Sequence, residues 1–275
     1  MPEGDTIFRA ARTLNRALGG CVVTGFESVF PALTRVDTDA PLRGRTVEQV
    51  TARGKHLLMR FSGDLILHTH MRMNGSWHIY RPGERWRAPS RDLRIRIDTD
   101  AYVAVGFNVP VADFLTSRDL ERHPVLSALG PDLASEAFDR EEVWRRIAMH
   151  PEAPLHDVLL DQHVVAGIGN VLKSEILFVS RLSPFAAAGT LTREQFDRLI
   201  DVSLRLMRMN IVDSATLPPV FGRRTTGSLD ARATLYVYGR RGKPCRRCGA
   251  AVESAQTGTD VRLTYWCPAC QPVNP

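Results

Sequence analysis

Four of the five cysteines form two Cys-x-x-Cys pairs, Cys245/Cys248 and Cys267/Cys270, with 18 residues between the pairs. Four thiolates at that spacing converge on one tetrahedral Zn²⁺. Two disulfides would need an oxidising compartment, and a redox pair would need a single motif in a βαβ setting. The pattern therefore predicts one structural zinc per chain. Between the pairs, Val252, Val261, Leu263 and Tyr265 alternate loosely around Thr257-Gly258, which suits a β-hairpin. A finger of about 30 residues cannot build its own core, so the metal supplies its folding energy. Arg240, Arg241, Lys243, Arg246 and Arg247 crowd its entrance and Arg262 falls on the hairpin, a placement that favours gripping phosphate. Cys21 stands alone and reads as a small buried apolar residue.

A second candidate is Ala166-Gly167-Ile168-Gly169-Asn170, between two helical stretches. Its glycines permit positive φ and close backbone approach. Asn170 can cap the next helix, where free N–H groups attract an anion. Taken alone, tight helix packing explains the same residues. Lysine is the third signal: only Lys55, Lys173 and Lys243 occur among 36 cations. Each is a place to look for a compact point charge that Arg cannot supply.

These residues need elements to position them. The 275 residues suit about two domains, and 44% hydrophobic with 24% charged residues is an ordinary globular mix. No apolar run reaches the roughly 18 residues of a membrane span, and the N-terminus lacks a basic, then apolar, leader. A cytoplasmic protein is expected. The net charge of +6 is unevenly placed. Residues 1–135 carry 18 basic and 15 acidic groups, 136–220 carry 9 and 12, and 221–275 carry 9 and 3. A basic excess at one end fits a polyanion or a merely solvated face.

Ile7, Ala10, Ala11, Leu14, Ala17 and Leu18 form a helical stripe ending at Gly19-Gly20. From Cys21 to about Val111 short strands are expected, among them Val22–Phe26, His56–Phe61, Leu65–His70, Leu93–Ile97 and Tyr102–Val105. Short strands at such spacing argue for an antiparallel sandwich. From about Ser117 the pattern is helical, clearest over Glu141–Met149, Leu155–Asp161, Asn170–Val179 and Thr192–Val212. Thr192 and Gln195 form a capping-box signature. Pro218-Pro219 break the chain before the finger. The class is α+β: an N-terminal β-sandwich with flanking helices and a helical C-terminal part carrying a four-cysteine zinc finger.

Pro2-Glu3-Gly4-Asp5-Thr6, Arg53-Gly54-Lys55-His56-Leu57, Leu159-Leu160-Asp161-Gln162 with Gly167-Ile168-Gly169-Asn170, and the finger occur in that order. Together they resemble the formamidopyrimidine-DNA glycosylase/endonuclease VIII family of base-excision repair. The likeness spans nearly the whole chain. It implies a catalytic sandwich (1–125), a helix–two-turn–helix domain (126–235) and a zinc finger (236–275). The partner it implies is damaged double-stranded DNA, whose lesion must be flipped out before its glycosidic bond is reached. Monomer is the default expectation.

The resemblance also implies roles. Pro2, exposed by removal of Met1, would be the amine nucleophile, and Glu3 the acid that assists opening of the sugar ring. Lys55 matches a lysine on the strand after Arg-Gly, implied to contact a phosphate and to shuttle a proton. Asn170 and Arg262 match a phosphate-gripping pair, and the family credits the arginine with a part in δ-elimination. A guanidinium yields protons poorly, so clamping is the easier role. Arg72, Met73 and Asn74 align with the void-filling wedge of endonuclease VIII. The Pro-Glu-Gly start and the lack of an Arg-Arg-Phe element around Phe107–Val111 favour that branch, hence oxidised pyrimidines. An oxidised-purine preference and a non-catalytic damage-binding protein are the alternatives. Two departures bear on detail: Thr6 stands where many members carry a second glutamate, and the wedge differs from the usual Gln-Leu-Tyr.

Overall fold

The computed structural model describes residues 2–211, 223–228, 230–258 and 261–272. It divides into two compact units, Met1–Ala128 and Leu129–Pro275. The expected break at Pro218-Pro219 lies outside the described residues.

The first unit opens with α1 (Gly4–Leu18), whose apolar stripe is buried at Ile7, Ala11, Leu14 and Leu18. Two four-stranded sheets follow. One has the order β1 (Val23–Ser28), β6 (Leu93–Thr99), β7 (Val103–Phe107), β5 (Ser76–Tyr80); every pairing is antiparallel. The other runs β2 (Val47–Arg53), β3 (His56–Phe61), β4 (Leu65–His70), β8 (Val111–Leu115), again antiparallel throughout. Alternation places Leu93, Ile95 and Ile97 inward while Arg94 and Arg96 stay wet. The core joins Ile7, Leu14 and Leu18 of α1 to Val47, Leu57 and Met59 of one sheet and Ile95 and Ile97 of the other. The sandwich expectation therefore holds. The alternation had not marked α2 (Pro31–Asp39), which begins at a proline in the first turn, or the strand β2. Cys21 is half-buried rather than buried, its thiol directed at the Ala17 carbonyl 3.7 Å away. After β8 comes α3 (Ser117–Arg122), closed by a reciprocal Thr116–Asp119 capping box.

The second unit is helical: α4 (Arg140–Ala148), α5 (Leu155–Val158), α6 (Asn170–Ser180) and α7 (Arg193–Ile211). The Thr192 capping box forms as its spacing predicts, with Gln195 N–H donating to Thr192 Oγ1 at 3.2 Å and Thr192 N–H donating to Gln195 Oε1 at 3.0 Å. α5 is shorter than its apolar pattern suggests, because turns take over after Val158. α6 is buried all round, the mark of a central helix. Leu172, Ile176 and Leu177 pack with Phe196, Leu199 and Leu206 of α7. The finger hairpin is β9 (Glu253–Thr257) paired antiparallel with β10 (Arg262–Trp266).

Candidate active site and nucleic-acid interface

In the first unit, Glu3 is the N-cap residue of α1, and its carbonyl accepts from Thr6 N–H at 2.9 Å and Ile7 N–H at 3.0 Å. Its side chain is fully buried and makes no capping bond. Pro2, half-buried, precedes the positive end of the helix dipole. Asp5 is also buried, and its carboxylate accepts from Thr6 N–H at 2.7 Å.

Lys55 is not on a strand. Arg53 and His56 are the last pair of the β2–β3 ladder, so Gly54-Lys55 is a two-residue hairpin turn. Gly54 has φ of 59°, while Lys55 is not in the positive-φ region, which is the II′ pattern with Gly first. The turn carries Lys55 at a hairpin tip rather than on a pleated face. That is the correction to its placement.

The loop between β4 and β5 crosses from one sheet to the other. Met71 is its anchor in the core, and Gly75 N–H closes it by donating to Met71 O at 2.9 Å. A Cβ on Gly75 would stand 2.6 Å from that carbonyl, so the tight turn requires glycine. Arg72, Met73 and Asn74 consequently project outward, Met73 being 54% exposed. Arg72 is held at positive φ (44°), and its N–H donates to His70 Nδ1 at 3.1 Å.

Four histidines gather around these residues, a cluster the sequence reading missed. His56, registered opposite His70, meets His68 diagonally across β3 and β4, with Nδ1 and Nε2 2.8 Å apart. The His70 ring lies 4.7 Å from that of His56, and the His123 ring 5.3 Å from that of His68. Burial, then the neighbouring imidazoles and Lys55, pushes His56 down to about 3. Burial followed by His123 and His70 takes His68 to about 4. Burial followed by Lys55 and Arg72 takes His70 to about 4. All three are neutral near pH 7. Lys55 and Arg72 thus share one neighbour, His70, and the structure brings the Gly54-Lys55 turn and the Arg72–Asn74 loop to one locality. The alternating His68 and His70 were a legible signal, but their meeting with His56 depends on strand register.

In the second unit, α6 begins at Asn170 as expected, but Asn170 is not its cap. Gly169 is the N-cap of α6, and no side chain caps it. Gly169 is extended (φ −116°, ψ −169°), whereas Gly167 takes positive φ (101°). Asn170 is the first helical residue, and its side-chain N–H₂ donates to Leu263 O of β10 at 2.8 Å. Asn170 and the Arg262–Leu263 strand are therefore brought together.

The rest of α6 stitches the finger down. Lys173 Nζ donates to Thr264 Oγ1 at 2.6 Å, and Tyr265 N–H donates to Ser174 Oγ at 3.4 Å. The buried Glu175 carboxylate accepts from the N–H groups of Tyr236, Val237 and Tyr238, each at 2.8 Å, and from the Thr225 hydroxyl. Phe178 packs with Val237, Cys245, Val252 and Cys267 in the finger's small core, and the Arg247 guanidinium lies 4.5 Å from its ring centre.

The sulfurs of Cys245, Cys248, Cys267 and Cys270 all lie within 4.8 Å of one another. Cys245 and Cys270 are 4.0 Å apart and Cys248 and Cys267 3.5 Å, bracketing the ~3.8 Å edge of a tetrahedron with 2.3 Å Zn–S bonds. The donor set and its spacing fit zinc. Arg247 N–H points at Cys245 Sγ (3.4 Å), and Gln271 fixes the second knuckle by accepting from Cys267 N–H at 3.0 Å.

A sandwich opening on Pro-Glu, together with a helical unit bearing a zinc finger beside a glycine-rich helix start, defines a zinc-finger protein of the nucleic-acid-binding class. Family comparisons make that specific. Residues 1–110 match the formamidopyrimidine-DNA glycosylase N-terminal domain, 129–218 the H2TH domain of the same glycosylase, and 242–273 the zinc finger found in FPG and IleRS. The chain is 42% identical over 274 residues to "Probable endonuclease 8 2" of Streptomyces coelicolor, covering 98% of this chain and 94% of that protein. It is 36% identical to the "DNA-(apurinic or apyrimidinic site) lyase Nei2" of Mycolicibacterium smegmatis, covering 98% and 99%. The fold is that of the Lactococcus lactis Fpg solved with abasic-site DNA, with a TM-score of 0.82 at 21% identity over 99% of this chain and all of that one. The chain belongs to the formamidopyrimidine-DNA glycosylase family, in its endonuclease 8 (Nei) branch, the DNA glycosylases and lyases of base-excision repair. No helix among the described residues is long and apolar enough to cross a membrane.

Proposed function

We propose that the protein is a bifunctional glycosylase/lyase that prefers oxidised pyrimidines in double-stranded DNA and acts through Pro2. The observation that carries this reading is Pro2-Glu3 at the N-terminus of α1, within a family match over 98% of the chain. Once Met1 is removed, Pro2 presents a secondary amine with an ordinary pKa near 8, and the positive end of α1 favours its unprotonated form. The amine attacks C1′ of the lesion nucleotide and the base departs with a proton. Glu3 protonates O4′ as the sugar opens, leaving an iminium on the proline nitrogen. Loss of a C2′ proton then expels the 3′ phosphate, and loss of a C4′ proton expels the 5′ phosphate, leaving a one-nucleotide gap.

Lys55, at its hairpin tip, contacts a lesion-flanking phosphate and serves the eliminations. Arg72, Met73 and Asn74 fill the space vacated by the flipped nucleotide, with Met73 as an adaptable apolar wedge. Asn170, through its second amide proton, and Arg262 clamp the backbone. One zinc bound by Cys245, Cys248, Cys267 and Cys270 holds the finger. Residues 1–125 carry the chemistry, 126–235 the helix–two-turn–helix and 236–275 the finger. We place the protein in the bacterial cytoplasm, acting as a monomer.

The test is a set of duplexes holding thymine glycol, 5-hydroxyuracil, 8-oxoguanine or an abasic site, incubated with borohydride. A covalent adduct mapping to Pro2, strongest on the pyrimidine lesions and the abasic site, is expected. An adduct strongest on 8-oxoguanine overturns the pyrimidine preference. No adduct on any duplex, with Met1 absent and zinc bound, leaves a damage-binding protein without the chemistry.

A further inference from the structure

Of the three lysines, only Lys173 is fully buried, on the central helix and against the finger hairpin. Its ammonium donates to Thr264 Oγ1 at 2.6 Å. Thr264 Oγ1 lies 2.6 Å from Thr257 Oγ1, and the Thr257 hydroxyl lies 3.2 Å from the carbonyl of Arg262. An ammonium can only donate, whereas a hydroxyl has one proton to give. Thr264 is fully buried, so its proton needs an acceptor, and Thr257 Oγ1 is the one within reach among the described residues. If Thr257 instead donated to Thr264, the Thr264 proton would be stranded. The chain therefore runs one way: Lys173 to Thr264, Thr264 to Thr257, Thr257 to the Arg262 carbonyl. A charged donor at its head strengthens each bond after it.

We propose that this chain makes Lys173, Thr264 and Thr257 positioning residues that set Arg262 for its phosphate. The inference rests on the reading of Arg262 as a phosphate clamp. Thr257 and Arg262 are the last ladder pair before the hairpin turn, the pair that frays first. Beside it, Val261 is held at φ 51°, a strained conformation for a β-branched residue, whereas Gly258 takes its φ of 70° freely. A Cβ on Gly258 would stand 2.2 Å from Asp157 Oδ1, so the tip is also pressed close to α5. Anchoring the Arg262 carbonyl fixes the backbone from which its guanidinium projects. Pre-organisation of that kind reduces the entropy lost when the guanidinium meets a phosphate. The anchor reaches from the same helix that begins at Asn170, so both members of the clamp take their position from α6.

The experiment compares Thr264→Val, Thr257→Val, Thr264→Ser, Arg262→Ala and the Thr264→Val/Arg262→Ala double variant. Affinity for a duplex holding a tetrahydrofuran abasic analogue is measured across a salt series, with zinc content determined for each protein. Arg262→Ala is expected to weaken binding and to lower the salt slope by roughly one, the share of one phosphate contact. Each valine variant should lower affinity and slope in the same direction with zinc unchanged, Thr264→Ser should restore both, and the double variant should lose no more than Arg262→Ala alone. Valine variants with wild-type affinity and slope, or losses that add to those of Arg262→Ala, overturn the positioning role. If Thr264→Val loses zinc, the half-buried Thr257→Val decides by the same criteria. An Arg262→Ala variant with unchanged affinity and slope overturns the clamp itself.

Discussion

Glu3 occupies a position where Ser, Thr, Asp or Asn would ordinarily cap the helix, yet its carboxylate makes no capping bond and is buried. A residue kept at a cost in helix stability suits chemistry better than folding. Glu3→Gln preserves size and removes the acid, so binding to an abasic-analogue duplex should change less than about twofold while base excision falls at least ~100-fold. Lost binding with turnover intact would falsify the assignment. Glu175 is a different kind of acid. Its two oxygens accept four donors, so Glu175→Gln would set an amide N–H₂ against backbone N–H groups it cannot satisfy. A loss of about 3 kcal/mol is expected, read as a lower melting temperature of the second unit. An unchanged melting temperature would show that these bonds contribute little.

Among the elements, β3 and β4 carry the histidine pair, and their register makes an acid-sensitive sheet. His56 titrates near 3 and His68 and His70 near 4, against about 6.5 when unfolded. Between pH 6.5 and 4 the unfolded chain takes up protons that the folded sheet refuses, so stability is held above pH 6.5 and falls with pH through that window. A loss of roughly 2 kcal/mol or more by pH 4.5 is expected for the first unit, followed by its melting temperature across a pH series. A flat profile would mean the imidazoles are solvated. The same elements show what a sequence can and cannot disclose. β3 and β4 matched their hydrophobic runs to the residue, and the Thr192 capping box formed as its spacing indicated. Both signals are local: a period of two, or a spacing of three. The His56–His68 contact, the Glu175 bond to Tyr238 and the Lys173–Thr264 bond join residues 12, 63 and 91 positions apart, and no period encodes such pairings. Lys55 was set on the strand instead of in the turn before it, and the cap of α6 on Asn170 instead of Gly169, because whether a glycine ends a strand or caps a helix depends on its backbone angles. The cysteines were legible at long range because metal geometry restricts their spacing in sequence.

At the scale of the whole molecule, each unit has its own apolar core, and the four-cysteine cluster proposed to hold zinc lies in the second. The sandwich core, from Ile7 to Ala112, contains no cysteine. The finger's core contains Cys245 and Cys267 and reaches α6 at Phe178. Without zinc, four sulfurs within 4.8 Å of one another have neither charge neutralisation nor bonding to keep them together. The disturbance should spread beyond the knuckles. The Tyr236–Tyr238 segment that Glu175 grips leads into the first knuckle, and β10, which Asn170 and Lys173 hold, leads into the second. Chelation is therefore expected to broaden or abolish the melting transition of the second unit while the first melts close to its original temperature. Duplex affinity should drop at the same chelator concentration, and its salt slope should fall by more than the single contact removed in Arg262→Ala, since Asn170 and Arg262 lose their support together. Calorimetry of native and chelated protein, with a salt series on each, separates the outcomes. Simultaneous collapse of both transitions would show that the sandwich depends on the finger for its stability. An unchanged salt slope would place the phosphate contacts elsewhere than on α6 and the hairpin.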